Sequence, residues 1–302
     1  ITAQVSTERM HIEAHQYLDL VALFAPITKW SKQIVQPNST PEIVRKAFKI
    51  AQTEKPGAVH INVPENVAAM PATAQLLRTN HLDRVYAAFD SIERAAAAIA
   101  QAQNPLILVG NGAIRGQASQ AITEFATQLN LPVANTFMGK GVIPYTHPLA
   151  LWAVGLQQRD YISCGFARAD LVIAMGYDLI EYSPKKWNPT GAIPIIHIAP
   201  IPAEIDSSYL PLVEVVGDIS DSLREILQRC DRTGKPDPHA LSLRTAIREN
   251  YAQYAEDTGF PIRPQKLIYD LRQILADEDL LISDVGAHKM WIARHYHCAQ
   301  PN

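Results

Sequence analysis

Between residues 105 and 218 the apolar residues arrive in short, almost unbroken runs: "PLILVG" (105–110), "PVANTF" (132–137), "DLVIAMG" (170–176), "IPIIHIA" (193–199) and "VEVVGD" (213–218). Each is bounded by Gly or Pro, and helical patterns such as "GQASQAITEFATQLN" and "ISDSLREILQR" separate them. A strand wet on one face alternates in polarity, whereas one covered on both faces reads as continuously apolar. Such runs alternating with helices predict a parallel, doubly wound sheet of the α/β class, from Ser91 to about Cys230.

The flanks are patterned differently. "PEIVRKAFKIAQTEKPG" predicts a helix with Ile43, Val44, Ala47, Phe48, Ile50 and Ala51 on one face, stopped by Gly57. The buried-strand run "AVHINVP" follows, and no partner strand for it stands out in the pattern, so this part reads as half an α/β layer. Polar "AAMPATAQLLRTNHLDR" predicts a linker. Beyond Cys230, "CDRTGKPDPHALS" predicts a loop, followed by a polar helix from Leu243 to about Glu256. "PQKLIYDLRQILADEDLLISDVG" then predicts a helix leading into a strand that ends at Ile282–Ser283–Asp284, the opening of another α/β unit.

Composition narrows the function classes. The 302 residues are 47% apolar and 19% charged with a net charge of −3, enough apolar material for a sizeable core. The balanced charge, without a Lys/Arg run, argues against nucleic acid or an anionic membrane as partner. No apolar run approaches the roughly 18 residues that span a bilayer. Three scattered cysteines, Cys164, Cys230 and Cys298, form neither a disulfide framework nor a metal motif, and a reducing, cytoplasmic setting is expected. The start at Ile-Thr-Ala-Gln reads as a processed or excised end.

Four stretches carry candidate chemistry. Gly110–Asn111–Gly112 with Gly116 follows a strand, as a dinucleotide turn does. The spacing is GxGxxxG, however, and the second strand is followed by Asn135 and Thr136 instead of an acid. A tight corner is therefore favoured over a nucleotide site. "GYDLIEYSPKKWN" (176–188) places Asp178, Glu181 and Tyr182 beside two lysines at a strand's C-terminal end, and is expected to be a solvated loop. His15 and Gln16 stand before an apolar helical pattern, either as caps or as site residues. In "ISDVGAHKMW", Gly286 is a turn before a helix whose first N–H groups, near His288, can face an anion. No metal-ligand spacing is evident.

Taken together, "HQYLDLVALFAPITKW", "EKPGAVHINVPENV", "GYDLIEYSPKKWN" and "DVGAHKMW" resemble the thiamine-diphosphate-dependent enzymes of the acetolactate synthase group, in the family's order and across the whole chain. The resemblance implies three parts: residues 1–75 as the C-terminal part of a pyrimidine-binding domain, 76–235 as a central Rossmann-like domain, and 236–302 as a linker and the start of a diphosphate-binding domain. The two outer α/β domains would thus be incomplete. It also implies a reaction, the condensation of two pyruvates to 2-acetolactate with loss of carbon dioxide. His15 and Gln16 would look toward the thiazolium and substrate, and Gly286, Ala287 and His288 would hold the diphosphate.

The activating glutamate is expected before Ile1 and the Mg²⁺-binding Gly-Asp-Gly…Asn run after Asn302. These residues alone should therefore bind thiamine diphosphate weakly and not turn over. Flavin-containing relatives carry Arg-Phe-Asp-Asp-Arg where this chain has Asp178–Leu179–Ile180–Glu181–Tyr182. FAD is accordingly not expected, and the flavin-independent branch is favoured. The cofactor of such enzymes lies between two chains, so the intact protein should be at least a homodimer. Two alternatives are another thiamine-diphosphate lyase acting on a bulkier 2-keto acid, and a non-catalytic nucleotide-binding or assembly module.

Overall fold

A computed structural model describes residues 1–79, 84–154, 161–232, 234 and 237–301. The chain divides into two compact units, Ile1–Asp83 and Arg84–Asn302.

The first unit runs through β1 (Thr2–Gln4), α1 (Leu20–Phe24), β2 (Ser31–Gln33), α2 (Thr40–Gln52), β3 (His60–Pro64) and α3 (Glu65–Ala69). Its three strands form a parallel sheet in the order β1-β3-β2. The apolar strand expected near 58–64 is therefore central, and it does have partners. They were invisible to the pattern because "TAQ" and "SKQ" are three residues each and mostly polar. Helix α2 starts at Thr40 with Pro41 in its first turn, where a missing N–H costs nothing. It ends at Gln52, five residues before the glycine expected to stop it. Ala47 is buried, and Ile43 and Val44 pack on the same small core with Ile34, Ile61 and Val67. Phe48, expected on that face, is 60% exposed.

The second unit holds the large sheet. In order come α4 (Phe89–Gln101), β4 (Pro105–Val109), α5 (Asn111–Arg115), α6 (Ser119–Leu129), β5 (Val133–Asn135), β6 (Ala150–Ala153), α7 (Tyr161–Arg168), β7 (Leu171–Met175), β8 (Ile195–Ala199), β9 (Val213–Val216), α8 (Ile219–Leu227), α9 (Pro238–Ala252), α10 (Pro264–Ile274) and α11 (Ala287–His295). The strands pair in parallel in the order β6-β5-β4-β7-β8-β9. This is the doubly wound order in which the chain moves one way from β4, then returns to continue the other way from β7. All five apolar runs became strands. The sixth, β6, is "ALWA", inside the apolar run Leu149–Val154, which Pro148 and Gly155 bound in the same way but which was not among the five.

Ile107, Leu108, Val109, Val172, Ile173, Ala174, Met175, Ile195, Ile196 and Ile198 are all fully buried, because helices cover both faces. Helices α4 and α6 pack on α8, and α7 packs on α9. Local chemistry marks the ends of these helices. Asn130 adopts a left-handed conformation (φ 53°) just past α6, a helix-stop role that asparagine tolerates. Asp218 accepts from Asp221 N–H at the start of α8, and Asp237 from His239 N–H at the start of α9.

The strand expected to end at Asp284 is absent. Leu280, Ile282 and Val285 are about four-fifths exposed or more, and no strand pairs with this stretch among the described residues. A strand exists only where a neighbour exchanges hydrogen bonds with it. The polar helix expected from Leu243 begins earlier, at Pro238.

Candidate functional site

The chain reverses its direction across the sheet between β4 and β7, and there the two strand-to-helix turns press against each other. Gly110 N–H donates to Met175 O at 3.0 Å, and Gly112 N–H to Gly176 O at 2.8 Å. Gly176 has φ +55°, and a Cβ on it would fall 2.2 Å from Ala113 N. A Cβ on Gly112 would lie 2.8 Å from Gly176 O. These glycines are thus accounted for by one backbone turn crossing another, the tight corner that their spacing favoured.

Glu181 reaches back over this corner. Its carboxylate accepts from Asn111 N–H at 3.0 and 3.1 Å and from the Thr136 hydroxyl. It thereby occupies the first N–H of α5, where a ligand phosphate would sit in a dinucleotide turn. Burial pushes its carboxyl pKa up, while the Thr136 and Asn111 donors pull it back. Glu181→Ala would leave Asn111 N–H and Thr136 without this acceptor. A loss of about 1–3 kcal/mol is expected, read as a lower urea midpoint. Glu181→Gln, which keeps one oxygen in place, should lose less.

The rest of the 176–188 stretch is not the solvated loop its polarity suggested. Tyr177, Tyr182, Trp187 and Asn188 are buried. The Tyr177 hydroxyl donates to Tyr182 O, and Asn188 donates to Ile193 O and Ser208 O at 3.2 and 3.1 Å. Three aromatic rings, Tyr177, Trp187 and Tyr209, meet at centroid distances of 5.5–6.3 Å. They bury the apolar bodies of residues whose polar tips are hydrogen-bonded.

Beside this corner a cleft of about 700 Å³ opens, lined by Asn111, Arg115, Phe137, Lys140, Arg272 and Ser283, among others. Clefts at the carboxyl ends of strands beside such a reversal are the usual ligand sites of open α/β sheets. Lys140 donates to Ala293 O at 2.7 Å, and burial lowers its pKa to about 8. Neither the Glu181 contact nor Lys140 was found from sequence. Glu181 lies 70 residues from its backbone partner, and only the pairing of β4 with β7 joins them.

Gly286, Ala287 and His288 lie together where α11 begins, and all three are exposed. The helix starts at Ala287, directly after the glycine turn. His288 folds back over Gly286, so that a Cβ there would lie 2.8 Å from the imidazole. No side chain caps this helix start, so its first N–H groups and positive end are free of a competing side-chain acceptor, as a diphosphate would need.

His15 and Gln16 belong to the first unit, at an exposed turn with Gln16 at φ +63°. The capping role open to them is taken by Asp19, whose carboxylate accepts from Ala22 N–H at 3.0 Å. Gln4 in β1 donates to Leu18 O at 2.6 Å and ties this turn to the sheet. Among the described residues no three His, Cys, Asp or Glu side chains converge as for a metal. No described helix is long and apolar enough to cross a membrane.

Residues 92–226, which hold all six strands of the large sheet, match the family model of the thiamine pyrophosphate enzyme central domain. Similarity extends over the whole chain to a probable acetolactate synthase large subunit of Methanocaldococcus jannaschii, 31% identical over 100% of this chain and 54% of that protein. The acetolactate synthase of Bacillus subtilis is 30% identical over 95% of this chain and 51% of its own length. The catabolic acetolactate synthase of Raoultella terrigena is 29% identical over 93% and 51%. The chain spans about half the length of these curated relatives. The reversed parallel sheet with its glycine corner is thus that of a thiamine pyrophosphate enzyme central domain over residues 92–226, and the chain is similar along its length to proteins named acetolactate synthase.

Proposed function

We propose that the protein carrying this chain is a thiamine-diphosphate-dependent carboligase that condenses two pyruvates to 2-acetolactate with release of carbon dioxide. The observation that carries this reading is the similarity of the whole chain to proteins named acetolactate synthase. In this reading residues 1–75, 76–235 and 236–302 contribute to the pyrimidine-binding, central and diphosphate-binding domains. When bound, the cofactor supplies the electron sink for decarboxylation.

The chain's own residues bind and orient. Ala287 and His288 offer backbone N–H groups at the positive end of α11 to the diphosphate, with Gly286 as the turn. His15 and Gln16, exposed and able to donate, stabilise negative charge developing on the keto oxygen of the substrate. Mg²⁺ would supply positive charge beside the diphosphate, and no metal-ligating cluster stands among the described residues. FAD has no role, because the Glu181 carboxylate already sits on Asn111 N–H and would repel a pyrophosphate. The intact protein is at least a homodimer and works in the cytoplasm.

The test is to purify the intact protein and assay it with pyruvate, thiamine diphosphate and Mg²⁺. Acetolactate should form, with no stoichiometric flavin absorbance. His15→Ala and Gln16→Ala should each lower kcat about 100-fold. His288→Ala should weaken cofactor affinity about threefold to tenfold, the size of one helix-terminus contact. Decarboxylation of a bulkier 2-keto acid without acetolactate would favour the other lyase reading, and a yellow protein would refute the flavin-free one.

A further inference from the structure

The last described turn of the chain carries a histidine in an unusual position. His297 is 3% exposed, and neither ring nitrogen has a hydrogen-bond partner among the described residues. Its faces are covered by three aromatic rings, Trp152 at 3.9 Å, Tyr251 at 4.0 Å and Tyr145 at 4.8 Å between centroids. An imidazole so clasped can make polar contacts only along its edge. A neutral ring has one donor and one acceptor there, and burying both without partners is costly.

A second cost sits at the same place. Trp152 has φ +66°, a left-handed backbone that bulky side chains rarely adopt. It lies in β6 opposite a register shift between Val133 and Ala134. Its indole N–H donates to the main-chain Tyr145 O at 3.1 Å, which fixes the indole against that stretch of backbone. Strained backbone of this kind recurs at ligand clamps.

His297 also lines two cavities. One, of about 370 Å³, is shared with Tyr145, Tyr251, Arg272, Gln273 and Asp277, far more room than one water needs. The other, of about 20 Å³ and also lined by Lys140, is of single-water size. Burial first, then Lys140, His295 and Arg272, hold His297 down to a pKa of about 2, and the cations nearby are Lys140 and Arg272. Asp277, 2.8 Å from Arg272, offsets part of that charge, which suits a ligand with one negative charge better than one with two.

We propose that the cavity bounded by His297, Tyr145, Tyr251 and Arg272 binds a small monocarboxylate, whose oxygens meet the imidazole edge and the guanidinium. The proposal is independent of the carboligase reading, and it is tested with acetate, which has no keto group to react.

The intact protein carrying this chain is titrated with sodium acetate against sodium chloride at constant ionic strength, following tryptophan emission, since Trp152 lies against the His297 ring. A saturable change in the millimolar range is expected, as befits a ligand of four heavy atoms. Acetamide, the same shape without the charge, should bind at least tenfold more weakly. His297→Phe, which preserves the aromatic packing, should weaken acetate at least tenfold. A response that never saturates, equal binding of acetamide, preference for inorganic phosphate, or a folded His297→Phe with unchanged affinity would each overturn the proposal. Should that variant not fold, the acetate and acetamide comparison on the wild type decides.

Discussion

Valine in place of Gly176 is expected to unfold the large sheet. The backbone there has φ +55°, and a Cβ would lie 2.2 Å from Ala113 N and 2.5 Å from Gly112 C. Both are backbone atoms in the first turns of α5, so no side chain can swing aside. A β-branched residue in the left-handed region costs roughly 1–3 kcal/mol by itself. Moving α5 away would also break the Gly112 N–H···O Gly176 bond and disturb Glu181 on Asn111.

Together the loss is on the order of 4–5 kcal/mol, against a total stability of about 5–15 kcal/mol for a typical protein. Insoluble expression, or a melting midpoint lower by ten degrees or more, is the expected result. A midpoint within two degrees of the wild type would show that the two turns do not meet as described. Gly165 provides the contrast. It lies inside α7, and a Cβ there would meet only side-chain atoms at ordinary contact distances, Leu243 Cδ1 at 3.5 Å and Leu106 Cδ2 at 4.0 Å. Gly165→Ala should therefore stabilise by a few tenths up to about 1 kcal/mol.

Acid should destabilise the second unit steeply, starting just below neutrality. His295 and His297 are 4% and 3% exposed, and burial followed by cationic neighbours holds their pKa values to about 4 and about 2. His197, with Nδ1 2.9 Å from the Tyr209 hydroxyl and Nε2 3.1 Å from Ile201 O, is lowered in the same direction by burial. In the unfolded chain each titrates near its ordinary value of about 6.5. Below that pH the unfolded state takes up protons that the folded state refuses, so stability falls as pH falls.

His295 and His297 each contribute about 1.4 kcal/mol per pH unit in this window, or on the order of 4 kcal/mol between pH 6.5 and 5. The His295 share levels off near pH 4, where its folded form protonates, and the His297 share continues lower. Urea midpoints at pH 7.5, 6 and 5 would measure this. His297→Phe should flatten the pH slope by about one proton. An unchanged slope would mean that this imidazole is already charged, or in contact with water, at neutral pH.

The sequence offered candidate residues for a site, yet hardly any of their contacts. His288 was legible because a glycine turn before a helix is a local feature, and the uncapped start of α11 is as local. His15 and Gln16 were legible only as polar residues before an apolar run, and it took the structure to give the cap to Asp19. Glu181 stood in a quoted stretch and was read as solvated. Its true partners, Asn111 and Thr136, are 70 and 45 residues away. His297, Lys140 and Trp152 carried no signal at all, since a histidine's burial depends on rings brought from distant strands and helices.

By itself the sequence determined what is local: five largely apolar strands, the helices between them, and therefore a parallel sheet covered on both faces. Periodicity and turn chemistry act over a few residues, and the physical bias they impose survives wherever the segment ends up. Only the tertiary structure decided that polar "TAQ" and "SKQ" pair with the apolar strand at His60–Pro64, and that "LLISDV" pairs with nothing described. A strand is completed by its neighbour's hydrogen bonds, and a short polar segment becomes one whenever such a neighbour is presented to it. Pairing is thus a property of two distant segments, which no single stretch of sequence contains.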